Sequence, residues 1–336
     1  MKDNDKRIDR ERLAEKVVYD LQNRSAKSLK IAQKEMLGEK FWSKEVHEAL
    51  IYYVTNWKTS VHPGLFSLAC EAVGCDSDES VQVQAALSLL AAAFDVHDDI
   101  IDQSKVKDSK STIFGRFGQN IALLVGNAFI MKGFVILSKF ETKQSIEEKR
   151  MIFDTIKDLF FELGDAHALE LKLRGKLDIN PDEYLQILEM KAASVEADMR
   201  IGAIVGGGNA YEIQALGKYG RILGTLITLR EEWIDIFEHE ELHNRVKNEC
   251  LPIPVLYALQ NLESKRKILD ILSQEEISKE DAEKIVEIVF ETEEARKLKM
   301  IMKNMVKKAL HHCSILQKTP AKEILITLVL STLEDL

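Results

Sequence analysis

The stretch AALSLLAAAFDVHDDIID, residues 85–102, constrains this chain more than any other. It is apolar nearly all round, which predicts a buried helix from Val81 to about Asp102, yet it carries four aspartates. At about 100° per residue, Asp95, Asp98, Asp99 and Asp102 fall within an arc of about 100°, so their carboxylates converge on one face. Converging carboxylates repel and raise one another's pKa, and burying them unpaired is costly unless cations gather there. Hard divalent cations with oxygen ligands answer that need. Mg²⁺, which keeps part of its water shell and bridges to phosphate oxygens, fits best.

The same offsets recur in ITLREEWIDIF, where Glu231, Glu232 and Asp235 occupy positions i, i+1 and i+4 of a helix with an apolar approach. Either cluster alone reads equally well as a solvated helix face. Two of them, each in an apolar helix, point to opposed walls clamping a metal-diphosphate. Metals stabilise a diphosphate as a leaving group, and an apolar pocket shelters the resulting carbocation from water. Phe94, one turn before Asp98 on the same face, is placed to form part of a floor behind the metals, a role compatible with that of a core aromatic.

The 336 residues, 46% hydrophobic, admit one large core or two ordinary domains. Five prolines, sixteen glycines and long stretches of Leu, Ile, Ala, Glu and Lys predict an all-α fold. A charged amphipathic pattern from Arg10 to Lys34 reads as surface helix. Helices are then expected from Glu45 to Trp57, stopping near His62-Pro63-Gly64, and over LFSLACEAVG to Gly74. After the polar run QSKVKDSKST come a long helix beginning at FGQNIALLVGNAF and others from Glu147 to Arg174, Pro181 through Gly206, and Tyr211 to about Phe237. Without a repeat or linker, the simplest division is a charged helical segment, 1–40, and one helical domain, 41–336.

A net charge of −9 with no Lys/Arg face argues against nucleic acid. No apolar run reaches the length of a membrane span and the N-terminus is too charged for a signal peptide, so a cytoplasmic protein that does not span a membrane is expected. Cys70, Cys75, Cys250 and Cys313 lack zinc spacing and read as reduced packing residues. HEELH, His239 to His243, matches a two-histidine zinc pattern, but its flanks are charged and the helix is expected to be ending there. His97 is read as a structural histidine rather than a general base, and Gly206-Gly207-Gly208 as a helix end.

Taken together, these segments resemble the polyprenyl synthetase family, the trans-isoprenyl diphosphate synthases. HDDIID is similar to its first aspartate-rich motif, with Asp98, Asp99 and Asp102 in the acid positions. FGQNIALLVGNAF resembles a family segment with Asn127 where Asp is usual, and HALELKLRG resembles the helix that follows. EYLQILEMKAASVEADMRIGAIVGG resembles the segment of the Lys-Thr pair, with Lys191 in the lysine position, and YGRILGTLITLREEWIDIF the second acidic motif. The resemblance implies a single bundle of long helices around a deep central cavity, the isoprenoid synthase fold, in a homodimer or a heterodimer with a related synthase. It implies two Mg²⁺ on Asp98, Asp99 and Asp102 and one on Glu231, Glu232 and Asp235, with Lys191 in the catalytic set. An allylic prenyl diphosphate gripped there is ionised and attacked by isopentenyl diphosphate, with loss of a proton.

Departures from the family cluster on the acceptor side. Its cationic GKRxRP stretch reads KTSVHP here, putting Thr59, Ser60 and His62 at the basic positions, and its acceptor-side histidine is Ala91. The arginine pair is Lys107-Asp108, the Lys-Thr pair Lys191-Ala192, and the Phe-Gln before the second motif Ile227-Thr228. The lysine-rich loop is shortened, with Cys250 at a lysine position and Arg245 and Lys247 nearby. Phe94, Asp95, His62, Lys107, Thr228, Arg245 and Lys247 are therefore the expected substrate contacts. Ionisation of an allylic diphosphate is expected to survive while isopentenyl diphosphate binds weakly or not at all, since each lost charge-assisted bond is worth about 1.5–3 kcal/mol. Three alternatives stay open: a weakly active prenyl-diphosphate-binding subunit of a heteromeric synthase, a terpene-synthase-like homologue that releases diphosphate, and a helical interaction protein.

Overall fold

Local chemistry sets most of the helix ends. The computed structural model describes residues 2–57, 60–76, 80–107, 109–140, 145–274 and 277–333; the side chains of residues 2–15 and of Lys247 are outside that description. The N-terminal charged pattern forms one helix, α1 (Lys2–Leu37). Ser43 starts α2 (Lys44–Asn56) by accepting from the Val46 N–H at 3.3 Å. Next comes α3 (Val61–Ala72), whose first turn contains His62-Pro63-Gly64. That tripeptide was expected to mark a stop. A proline in the first turn lacks an N–H that would be unpaired there anyway, so it opens the helix instead. Gly64 is needed for a close approach, because a Cβ at this position would lie 2.7–3.0 Å from Leu21 of α1.

The apolar helix forms as α4 (Val81–Ile101), closed by Asp102. The polar run after it makes a short antiparallel pair, β1 (Val106–Lys107) with β2 (Lys110–Ser111). Thr112 caps α5 (Ile113–Lys139), which kinks at Gly118, where φ is +80° and only glycine sits without strain. By length and composition α5 could cross a membrane, contrary to the expectation that no run is long enough. It packs on α4 and α2 and buries Ala122, Val125 and Phe129, and its buried Lys132 is ion-paired to Glu35 (2.8 Å) and Glu39 (2.6 Å).

Further on lie α6 (Ile146–Leu173), α7 (Pro181–Lys191) and α8 (Ala193–Val205). The segment from Pro181, expected as one helix, breaks at Ala192, whose ψ of 0° interrupts the helical ladder. After α8 ends before the glycine triplet, α9 (Ala210–Asp235) carries the second acidic cluster and α10 (His239–Asn248) contains HEELH. HEELH thus opens a separate helix rather than trailing a preceding one. The chain continues through α11 (Ile253–Ala258), α12 (Leu262–Leu272), α13 (Lys279–Glu291), α14 (Glu293–Ser314) and α15 (Pro320–Ser331). The fold is all-α, as the composition and periodicity predict.

Two compact units make up the chain. The first takes residues 1–153, 198–213 and 317–324, and the second residues 154–197, 214–316 and 325–336. In the first, α1 packs on α3 and α4, and α4 on α5; Leu65, Leu68, Leu89, Val96 and Phe129 are fully buried. In the second, α11 packs on α7, α13 and α14 around Leu256, Ile285, Leu298 and Met302. Cys70, Cys250 and Cys313 are buried and all four cysteines are free thiols.

Candidate active site

In the first unit, the four aspartates at the end of α4 differ in environment. Asp95 is held from two sides, accepting from the Lys107 ammonium at 2.7 Å and from the Tyr53 hydroxyl at 3.1 Å. Burial alone would push the Lys107 pKa down, but Asp95 outweighs it and keeps the ammonium charged. Asp99 is 6% exposed, and burial first, then the charge of Asp95, push its carboxyl up to about 7. Near neutral pH such a group is poised between its protonated and ionised forms, and positive charge brought to it favours the carboxylate. Among the described residues no three His, Cys, Asp or Glu side chains are already gathered into a metal cage. The donor set nevertheless suits a hard divalent cation, being carboxylate oxygens on one face with one member pushed towards its neutral form by burial and then by its like-charged neighbours. Phe94 is half-buried one turn before Asp98.

His62 does not stand as a free cation. Its Nδ1 lies 2.5 Å from the buried Asp198 Oδ2 on α8. Burial works against the imidazolium, but Asp198 outweighs it, so the His62 pKa is raised. On the His62 side the raised pKa makes the stabilisation present below the unfolded value of about 6.5 and lost as pH rises through the folded value, while burial, outweighing His62, raises the Asp198 carboxyl as well, so the pair weakens again where Asp198 takes up its proton. His62→Gln is expected to destabilise the protein by about 3 kcal/mol at pH 6. Thermal melts should show the gap to wild type narrowing as pH rises, and a gap that ignores pH would mean a neutral His62.

A cavity of about 70 Å³ in the same unit is lined by Tyr53, Trp57, His62, Ser88, Ala91 and Asp95. It brings together His62 and Ala91, two positions at which the resemblance finds acceptor contacts replaced. Lys58, Thr59 and Asp108 lie outside the described residues. His97, half-buried, points into the space left by Gly126 on α5, and burial pushes its imidazole pKa down.

The second acidic cluster, in the second unit, is a closed network. Glu232 is 2% exposed and both its oxygens are engaged: Oε1 accepts from Arg245 Nη1 (2.7 Å) and the Tyr184 hydroxyl (3.2 Å), and Oε2 from the Ile253 N–H (2.7 Å). Arg245 Nη2 donates to Asp235 Oδ2 at 2.5 Å. Burial pushes the Glu232 carboxyl up against the pull of Arg245. The guanidinium, which burial would depress, is held charged by Glu232 and its other acid neighbours. Glu231 is exposed. Lys191 is ion-paired to Glu170, whose Oε1, 3.3 Å from the Tyr184 hydroxyl, shares that single donor with Glu232. Thr228 bonds back to the Gly224 carbonyl at 3.2 Å, and the Lys247 side chain is outside the description.

Reading the sequence alone misses Tyr53, Asp198, Glu170 and Tyr184. Each bonds a residue on another helix, a contact that helical periodicity does not mark.

Residues 43–289 match the polyprenyl synthetase family. A short chain isoprenyl diphosphate synthase from Methanothermobacter thermautotrophicus is 26% identical over 239 residues, covering 71% of this chain and 70% of the relative. A geranylgeranyl diphosphate synthase from Methanosarcina mazei is 25% identical over 284 residues, 84% of this chain and 87% of the relative. The solved geranylgeranyl pyrophosphate synthetase of Pyrococcus horikoshii superposes with a TM-score of 0.85 at 22% identity, covering 96% of this chain and 99% of that one. With nearly three quarters of its length matched and the same all-α fold, the chain belongs to the polyprenyl synthetase family.

Proposed function

We propose that this chain ionises an allylic prenyl diphosphate at the carboxylates of α4 and handles isopentenyl diphosphate poorly. The observation that carries the reading is Asp99, buried beside Asp95 and pushed up to about 7, in a face of four aspartates. Asp98, Asp99 and Asp102 would hold Mg²⁺, which when bound supplies the charge that stabilises the departing diphosphate. Tyr53 and Lys107 fix Asp95 beside them. The apolar residues of α4 exclude water from the cation left behind, and Phe94 bounds the prenyl tail.

The acceptor side of the reading is supported by the small cavity. Its one basic side chain, His62, is paired to Asp198, Ala91 offers no polar group, and Asp95 adds a carboxylate. Such a lining favours a neutral acceptor or water over a second diphosphate. Leu123, Leu124 and Met131 are exposed on α5, which supports pairing with a second chain of this fold.

The experiment is diphosphate release from geranyl, farnesyl and geranylgeranyl diphosphates in Mg²⁺, with and without isopentenyl diphosphate. Release that does not depend on isopentenyl diphosphate is expected, and Phe94→Ala should move the preference roughly 10-fold toward longer tails. No release from any of the three would sink the reading. Release only after a related synthase is added would favour a weakly active subunit of a heterodimer, which the same loss of acceptor cations supports.

A further inference from the structure

We propose that Arg245 is a built-in cation standing where the second acidic cluster would otherwise take a divalent metal, so that Glu232 and Asp235 hold an arginine and not a metal. The two terminal nitrogens of the guanidinium bond one carboxylate each, at 2.7 Å and 2.5 Å, and its Nε lies 3.8 Å from both Glu241 and Glu249. Arg245 is itself only 11% exposed. Glu232 has further partners in Tyr184 and the Ile253 N–H, so neither of its oxygens is available without breaking a buried bond. A cation entering between Glu232 and Asp235 must therefore evict the arginine, leaving a buried guanidinium without its partners. Glu231, on the same helix, is exposed.

The planar fork suits this role better than an ammonium, because it bonds two carboxylates from fixed directions. It also ties α10 to the end of α9, and the Glu232 bond to Ile253 ties in the start of α11. The second cluster is thereby organised before any ligand arrives. Glu241 and Glu249 leave a surplus of negative charge around one guanidinium. Removing the arginine should therefore create a site that a divalent cation can fill.

The inference rests on the reading of the α4 aspartates as the divalent site, and the test separates the two. Mn²⁺ binding with inorganic diphosphate is counted by electron paramagnetic resonance, and melting temperature is read with and without Mn²⁺, for wild type, Asp98→Asn, Asp235→Asn, Arg245→Lys and Arg245→Met. Asp98→Asn should weaken Mn²⁺ binding roughly 10-fold or more, and Asp235→Asn should leave it nearly unchanged. Arg245→Met should melt lower than wild type, recover more on adding Mn²⁺ and bind one more ion per chain, with Arg245→Lys between the two. A loss of Mn²⁺ affinity in Asp235→Asn equal to that in Asp98→Asn would overturn the arginine assignment, as would an Arg245→Met protein with wild-type melting and Mn²⁺ response. If Arg245→Met does not fold, Asp235→Asn and Arg245→Lys decide. If wild type binds no Mn²⁺ but the arginine variants gain a Mn²⁺ response, the α4 reading falls and the arginine assignment stands.

Discussion

Asp98→Ala and Asp102→Ala are each expected to cut diphosphate release about 100- to 1,000-fold while the helical circular dichroism stays that of wild type. The loss follows from removing one hard oxygen donor from the face that would carry the divalent charge, because the departing diphosphate then leaves without full neutralisation. Stability should move the other way. Asp98 and Asp102 both add to the repulsion that raises the Asp99 carboxyl, so deleting either relieves a buried neighbour and the melting temperature should hold or rise. Loss of activity with unchanged or improved stability is the signature of a functional carboxylate, whereas a structural one would lose both. Near-normal turnover in Mg²⁺ for either variant would remove α4 as the metal-bearing element.

Calorimetric titration in Mg²⁺ should separate the two diphosphates by about 1,000-fold in affinity, the allylic one binding in the micromolar range and isopentenyl diphosphate in the millimolar range. The basic positions of the acceptor stretch read Thr59, Ser60 and His62, and His62 is committed to Asp198. Losing three charge-assisted bonds at the lower bound of about 1.5 kcal/mol each already accounts for a gap of that size. Cations on α4 would do nothing to restore those bonds, which is why the two substrates part company. Micromolar isopentenyl diphosphate with efficient elongation by the lone chain would overturn the expectation and point to Lys58, Lys107 or Lys247 as replacement contacts.

The parts of this architecture that depend on periodicity were readable from sequence. The apolar run of α4 and the offsets of its acids predicted both the helix and the crowded carboxylates, and the repeated offsets located the second cluster on α9. What could not be read was pairing across distance. His62 and Asp198 are 136 residues apart, and Arg245 reaches back across a helix junction to Glu232 and Asp235. No helical period encodes those contacts, so the ion pairs that engage His62 and Arg245, expected as substrate contacts, and Lys191, expected in the catalytic set, were not legible. The His62-Pro63-Gly64 turn failed for another reason. Proline and glycine punctuate a chain in either direction, and here Pro63 falls in the first turn of α3, where its missing N–H costs nothing, with Gly64 letting Leu21 approach.

That approach bears on where a recombinant fragment can be cut. A piece trimmed to the matched borders, 43–289, would discard α1 from one unit and α14 from the other. The first cut removes Leu21 from against Gly64, two residues from His62, together with the Arg24–Glu71 ion pair at 2.9 Å that clamps the far end of the same helix. The second removes Leu298 and Met302 from the packing around α11, the helix whose first N–H bonds Glu232. Both flanks therefore support helices at the two candidate sites, and an expression clone should carry them.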